Sequence, residues 1–244
     1  MTLANLGLPR QALWAYTGKS MPGTPVRILL ARHGETEFNV TGRWQGQGNS
    51  PLTERGLAQA RELGRALAQE SIAAVYSSDL GRAMQTAREV AAPHGLDVQM
   101  DPRLREIDVG GWTGKNGDEI EAAYPGARRA WAAAPASMRL PDGETLVEVQ
   151  TRVRPFFHER MPAHADQTIV VISHGAIGQV ILVKAMGGTV DDLWLKDRID
   201  NCQISRLEWA AADGCGFGLT LIDLADVRHL ADVGSLHSWR TDPA

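Results

Sequence analysis

The chain has 244 residues, of which 43% are hydrophobic, 22% charged and 6% aromatic, proportions that fit a globular protein and exclude the disordered, collagenous and disulfide-rich classes. Its 25 Lys and Arg stand against 29 Asp and Glu, so the basic excess of a nucleic-acid binder is missing. Cys202 and Cys215 are spaced neither as a metal knuckle nor as a redox pair, and both read as incidental thiols of a reducing compartment.

The apolar piece Ala12 to Tyr16 is too brief and too polar for a signal sequence or a membrane span, and the uncharged run from Gln167 to Val183 is broken by Ser173, His174, Gly175, Gly178 and Gln179. No membrane association and a cytoplasmic location are therefore expected. One domain is expected over residues 25–230, between an N-terminal extension (1–24) and a C-terminal tail (231–244).

Val26 to Ala31 predicts a buried strand, and Thr53 caps a helix running towards Gln69. Ile72 to Tyr76 predicts the next strand. Asp79 is placed as the cap of a second helix, which Pro93 and Gly95 stop, and a short strand follows at Val98 to Met100. Residues 101–143 are rich in Gly, Pro and Ala, with short helices expected at Asp118 to Tyr124 and Ala127 to Ala133. Excursions of this length tend to be lids or substrate-reading regions. Thr145 to His158 reads as helix, Thr168 to Ile172 as the strongest strand, and Ala176 to Met186 as a helix after a tight turn. Two strands, Cys202 to Glu208 and Phe217 to Asp223, close the pattern across Gly214 and Gly216. The alternation predicts an α/β fold, a three-layer sandwich whose central sheet is mostly parallel with helices on both faces.

Two strands end alike: Leu30-Ala31-Arg32-His33-Gly34 and Val171-Ile172-Ser173-His174-Gly175. In an open α/β sheet the carboxyl ends of the strands border the ligand crevice, so both imidazoles are expected in one site. Arg32 adds a cation beside His33, and Arg82 adds another in the first turn of its helix, where anions are favoured and a guanidinium can grip phosphate oxygens. Taken singly, each histidine reads as a structural group, Arg82 as a solvated charge and Glu106 as the surface partner of Arg103 or Arg105. Trp44, Trp112, Trp131 and Trp194 are expected to pack in the core rather than to line a pocket.

The stretch Arg32-His33-Gly34-Glu35-Thr36-Glu37-Phe38-Asn39 resembles the signature of the histidine phosphatase superfamily, the phosphoglycerate mutase-like family. Gln45-Gly46, Ser50 to Ala60, Ser77 to Ala87, Leu104 to Trp112, Pro141 to Thr145 and Ser173-His174-Gly175 follow in the family's order. The resemblance covers about residues 26 to 230, and several spaced blocks are far more specific than any one of them. It implies the phosphoglycerate mutase-like fold, with His33 as a nucleophile that takes up a phosphoryl group. Arg32, Arg82 and His174 would stabilise its charge, and Glu106 would act as the acid and base, a task for which its pKa would have to be raised. Phosphate would be held by Arg32, Asn39, Gln45, Gly46, Arg82, His174 and the backbone amide of Ala176. The expected substrate is a small phosphorylated metabolite, with no metal and no cofactor.

Asn49, Thr113 and Gln179 depart from residues usual in the family, and Ile107 and Val109 stand where the mutase branch carries an arginine and a tyrosine. A phosphomonoesterase is therefore the leading expectation. The alternatives are a phosphoglycerate mutase and a non-catalytic phosphate-binding module on the same fold. Arg128 and Arg129 are read as a solvated helix face. The unassigned termini, with Trp14 and Trp239, raise homodimerisation as a hypothesis.

Overall fold

A computed structural model of the chain describes residues 25–195, 199–211 and 216–234. Six strands form one sheet: β1 (Val26–Arg32), β2 (Ile72–Ser77), β3 (Val98–Met100), β4 (Thr168–Ser173), β5 (Ile204–Trp209) and β6 (Leu219–Asp226). Their order is β3-β2-β4-β1-β5-β6. The first four strands in that order run parallel, while β5 is antiparallel to β1 and β6 antiparallel to β5. Every residue of β4 is buried, as a central parallel strand covered on both faces should be.

The helices are α1 (Glu37–Val40), α2 (Glu54–Leu67), α3 (Gly81–Ala91), α4 (Gly117–Ala123), α5 (Ala127–Ala133), α6 (Leu146–Arg160) and α7 (Gly175–Ala185). Leu29, Ala31, Val75, Val170 and Ile172 point to one face of the sheet and pack with Ala60, Leu63 and Leu67 of α2 and Ala83, Ala87 and Val90 of α3. Ile28, Leu30, Tyr76, Ile169 and Val171 point to the other and meet Val149, Val153 and Phe156 of α6 and Ile177, Val180 and Ile181 of α7. The period of two along each strand thus divides the core into two layers.

Local chemistry sets most boundaries as expected. Thr53 accepts the Gly56 amide to cap α2, and Thr145 forms a reciprocal capping box with Glu148 at α6. The start of α3 is a correction. Its N-cap is Leu80, which makes no side-chain capping bond, because the Asp79 carboxylate is taken by the Arg105 guanidinium, with Nε 2.7 Å from Oδ1. A bidentate charged pair outweighs a backbone cap. That pairing, ahead of the opposing effect of partial burial, lowers the Asp79 pKa. β5 begins two residues later than the sequence pattern places it. Cys202 has a left-handed backbone, φ 57°, which turns the chain before the strand can start.

Residues 101–143 are built into the core rather than laid over it. Leu104, Ile107, Val109, Trp112, Ile120, Trp131 and Leu140 are all buried in the α6/α7 layer. Trp44, which is half-buried, meets Trp112 and Trp131 edge-on at centroid distances of 5.0 and 5.3 Å, a geometry favoured by ring quadrupoles. Arg128 is half-buried and Arg129 exposed on α5. Trp14, Trp239, Gly214, Cys215 and the Trp194 side chain lie outside the described residues.

Candidate active site

The register of the sheet builds the site. Arg32 of β1 pairs with Ser173 of β4, so the residues that follow, His33 and His174, leave the sheet side by side at the carboxyl ends of parallel strands. Their ring centroids are 5.1 Å apart. Both are buried, with relative exposures of 2% and 1%.

His33 is held in a defined protonation pattern. Its Nδ1 lies 2.7 Å from the Gly34 carbonyl oxygen, which can only accept, and its Nε2 lies 3.2 Å from Arg82 Nε, which can only donate. Nδ1 therefore carries the proton and Nε2 presents a lone pair. Burial first, then the Arg82 and Arg32 charges, hold the His33 pKa well below the usual imidazole value, against the opposing pull of the Gly34 carbonyl. Arg82 is itself 1% exposed, and its Nη1 and Nη2 donate to the Gly48 and Gly46 carbonyls, each at 2.8 Å. Three of its five N–H groups are thus committed to the protein. Burial brings its pKa down to about 10, so it remains a cation at neutral pH.

His174 caps α7 through its extended backbone, without a side-chain capping bond. Neither of its ring nitrogens has a hydrogen-bond partner among the described residues. Burial, followed chiefly by the charges of the Arg82, Arg32 and Arg152 guanidiniums, pushes its pKa well below the usual value. A buried imidazole with two idle nitrogens in a ring of arginines is unfavourable by itself and becomes favourable when an anion arrives.

Glu106 is not a surface ion pair. Arg103 is engaged by Asp101 and Glu159 and Arg105 by Asp79, whereas the Glu106 carboxylate is turned inward to the first turn of α7. Oε2 accepts the Ala176 amide at 3.1 Å, and Oε1 accepts the amides of Ile177 at 3.2 Å and Ile107 at 3.0 Å. The amide that the sequence assigns to phosphate is thus occupied by a carboxylate, an anion in the seat that a helix N-terminus offers to anions. A Cβ built on Gly175 would stand 3.5 Å from Glu106 Oε2 and 3.8 Å from the Arg32 guanidinium carbon, so the second His-Gly pair lies where these charges converge. Arg32 also donates from Nη1 to the Ile199 carbonyl at 2.8 Å.

Asn39 is buried, its Oδ1 accepts the Thr36 amide at 3.1 Å, and its Nδ2 has no partner among the described residues. Gln45 is buried beside Gly46, whose left-handed backbone, φ 50°, turns its carbonyl to Arg82. Sequence reasoning missed Asn201, which is fully buried and donates to the His33 carbonyl at 2.9 Å and to Asn39 Oδ1 at 3.3 Å. It also missed Gln47, whose Nε2 reaches the Glu106 carbonyl at 3.4 Å. No local pattern marks either residue.

Ile107 and Val109 are buried at 2% and 1% exposure and pack in the core, with the Val109 side chain against Gly46. Asn49 lies beside the start of α3, Thr113 beside Gly48, and Gln179 within α7. The other four described histidines stand elsewhere: His164 meets the Tyr76 hydroxyl, His158 the Gly216 carbonyl and His229 the Cys202 carbonyl, while His94 lies in the turn that follows α3.

Comparison with known proteins bears on this arrangement. The family model described as histidine phosphatase superfamily (branch 1) matches residues 28–216. A curated relative from Enterobacter sp. (strain 638), named "Probable phosphoglycerate mutase", is 34% identical over 206 residues, 84% of this chain and 95% of its own. Phosphoserine phosphatase 1 of Hydrogenobacter thermophilus is 36% identical over 169 residues, 69% of this chain and 80% of its own. Among solved structures, a mycobacterial glucosyl-3-phosphoglycerate phosphatase in complex with VO3 superposes with a TM-score of 0.72 at 30% identity, covering 82% of this chain and 99% of that one.

Proposed function

The chain belongs to the histidine phosphatase superfamily (branch 1), and on that premise we propose that it is a phosphomonoesterase that hydrolyses small phosphorylated metabolites through a phosphohistidine on His33. The observation that carries this reading is the fixed lone pair of His33 Nε2, buried against Arg82 and beside a His174 whose ring has no partner among the described residues.

In the proposed reaction Arg82 Nε turns from His33 Nε2 to a phosphate oxygen, Nε2 attacks phosphorus as the ester P–O bond breaks, and Glu106, having taken a proton from solvent as the phosphate dianion enters, passes it to the leaving oxygen. Water then attacks the phosphohistidine, Glu106 takes the water proton, and the P–N bond breaks to return His33 to its Nδ1–H form. Phosphoryl transfer demands alignment and charge stabilisation above all. Arg32, Arg82 and His174, protonated when the phosphate dianion enters, would surround the equatorial oxygens, with Asn39 Nδ2, Gln45 and the Gly46 segment as neutral contacts. Glu106 would yield the Ala176 amide to phosphate as it moves to its proton-transfer position. The chemistry needs no metal or cofactor, because the charge it must offset faces two arginines and an imidazole. Cytoplasmic residence and a two-fold dimer complete the proposal.

Relatives bear both phosphatase and mutase names, and buried Ile107 and Val109 favour hydrolysis. A mutase must retain its product by gripping a second anionic group, each charge-assisted contact contributing roughly 1.5–3 kcal/mol, and neither apolar side chain can do so. A turnover screen over phosphorylated sugars, glycerates, nucleotides and amino acids should show release of inorganic phosphate from at least one small monoester. Interconversion of 3- and 2-phosphoglycerate should be negligible even with bisphosphoglycerate as primer. Primed mutase turnover faster than every hydrolysis would reverse the assignment.

A further inference from the structure

The loop before β5 is fastened to the end of β1 by three hydrogen bonds. Arg32 Nη1 reaches the Ile199 carbonyl at 2.8 Å, the Cys202 amide reaches the Arg32 carbonyl at 3.0 Å, and Asn201 Nδ2 reaches the His33 carbonyl at 2.9 Å. The loop is itself clamped, since the Asp200 amide donates to Gln203 Oε1 at 3.0 Å and Cys202 keeps its left-handed backbone. Asn201 thus has a fixed place beneath the nucleophile.

Its amide orientation follows from its partners. The Thr36 amide donates to Asn39, so the Asn39 atom on that side is its oxygen. The same oxygen and the His33 carbonyl both face Asn201, so Asn201 must offer its NH2 to them. Asn39 is then left with its own NH2 turned away, buried and without a partner among the described residues. An unpaired buried donor is costly unless a ligand acceptor satisfies it.

We propose that Asn201 is a positioning residue that sets the orientation of the Asn39 amide and of the His33 backbone, so that an entering phosphate oxygen meets an N–H donor and not a carbonyl oxygen. This rests on the phosphatase reading given above. Without Asn201 the Asn39 side chain loses one of the two donors that pin its oxygen.

The test measures competitive inhibition by inorganic phosphate and by orthovanadate against p-nitrophenyl phosphate hydrolysis. Asn201→Ala should weaken inhibition about tenfold in the otherwise native chain and less than about threefold in an Asn39→Ala background, because the two residues act in series. Asn201→Asp, which keeps the volume but turns acceptors towards the His33 carbonyl and Asn39 Oδ1, should be at least as damaging as Asn201→Ala. A residue that merely fills space predicts the opposite rank, and that rank would overturn the proposal. Independent, multiplicative losses in the double variant would overturn it as well. If native protein binds phosphate while both Asn201 variants match it, this proposal alone fails; if native protein binds neither anion, the phosphatase reading falls with it.

Discussion

His33 and His174 are two basic groups held neutral by burial and by neighbouring cations. That arrangement suits a nucleophile, which needs its lone pair, and a phosphate receptor, which gains a proton only when a dianion enters. It also has a consequence for stability. In the unfolded chain both imidazoles titrate near pH 6.5, whereas in the folded empty site their pKa values lie well below that. The unfolded state therefore binds more protons below about pH 6.5, and stability falls as pH drops through that value, by at most about 1.4 kcal/mol per pH unit for each imidazole. The lowered carboxylate pKa values of Asp79 and Asp101 act in the same direction only near pH 4 and below. Urea unfolding at pH 7.5, 6.5 and 5.5 should show a decline, reduced in His174→Asn. A flat profile over that range would mean that the two rings are not held neutral.

At the scale of elements, the loop that follows β1 and carries His33 is shaped by the helix packed against it. A Cβ on Gly56, in the first turn of α2, would stand 2.0 Å from the Glu35 carbonyl oxygen, and one on Gly34 would stand 2.4 Å from the Gly56 carbonyl oxygen. Thr53 ties the same turn to Glu35, donating to Oε1 at 2.7 Å. Backbone touches backbone here, and no side chain can move aside to relieve a new methyl. Gly56→Ala should destabilise the protein by about 1–3 kcal/mol, and it should lower kcat on p-nitrophenyl phosphate at temperatures where the variant is fully folded. The matched change Gly95→Ala, at an open position with φ 64°, should cost stability without the same loss of kcat. Equal kcat for the native protein and Gly56→Ala would show that α2 does not set the loop.

The same scale explains what the sequence could and could not convey. The helix at Thr53 was legible because its cap, its apolar spacing and its breakers lie within a few residues of one another. The Asp79 cap failed because the competitor for that carboxylate, Arg105, lies 26 residues away, beyond any local rule. His33, His174 and Arg82 could be found because a strand ending in His-Gly and a helix opening with Arg are local patterns placed together by sheet topology. Asn201 carries no such mark: its partners His33 and Asn39 are 168 and 162 residues distant, and an asparagine before a strand is ordinary. The turn of Glu106 towards α7 likewise depends on where β4 delivers the helix N-terminus.

In the molecule as a whole, β4 inserts between β1 and β2, so three parallel strands bring their carboxyl ends to one edge. From that edge come Arg32 and His33, His174, and the chain leading into Arg82. The 101–143 region contributes Glu106 and buries its own apolar residues in the core, so the proposed acid is mounted on a packed element. These pieces form one device only if His33 carries the phosphoryl group. The most direct measurement mixes Glu106→Gln protein with p-nitrophenyl phosphate, whose leaving group needs no proton, followed by rapid quenching and peptide mapping. A stoichiometric burst of nitrophenolate with an acid-labile, base-stable phosphate on His33 is the predicted result; no burst, or phosphate on any other residue, would contradict the account.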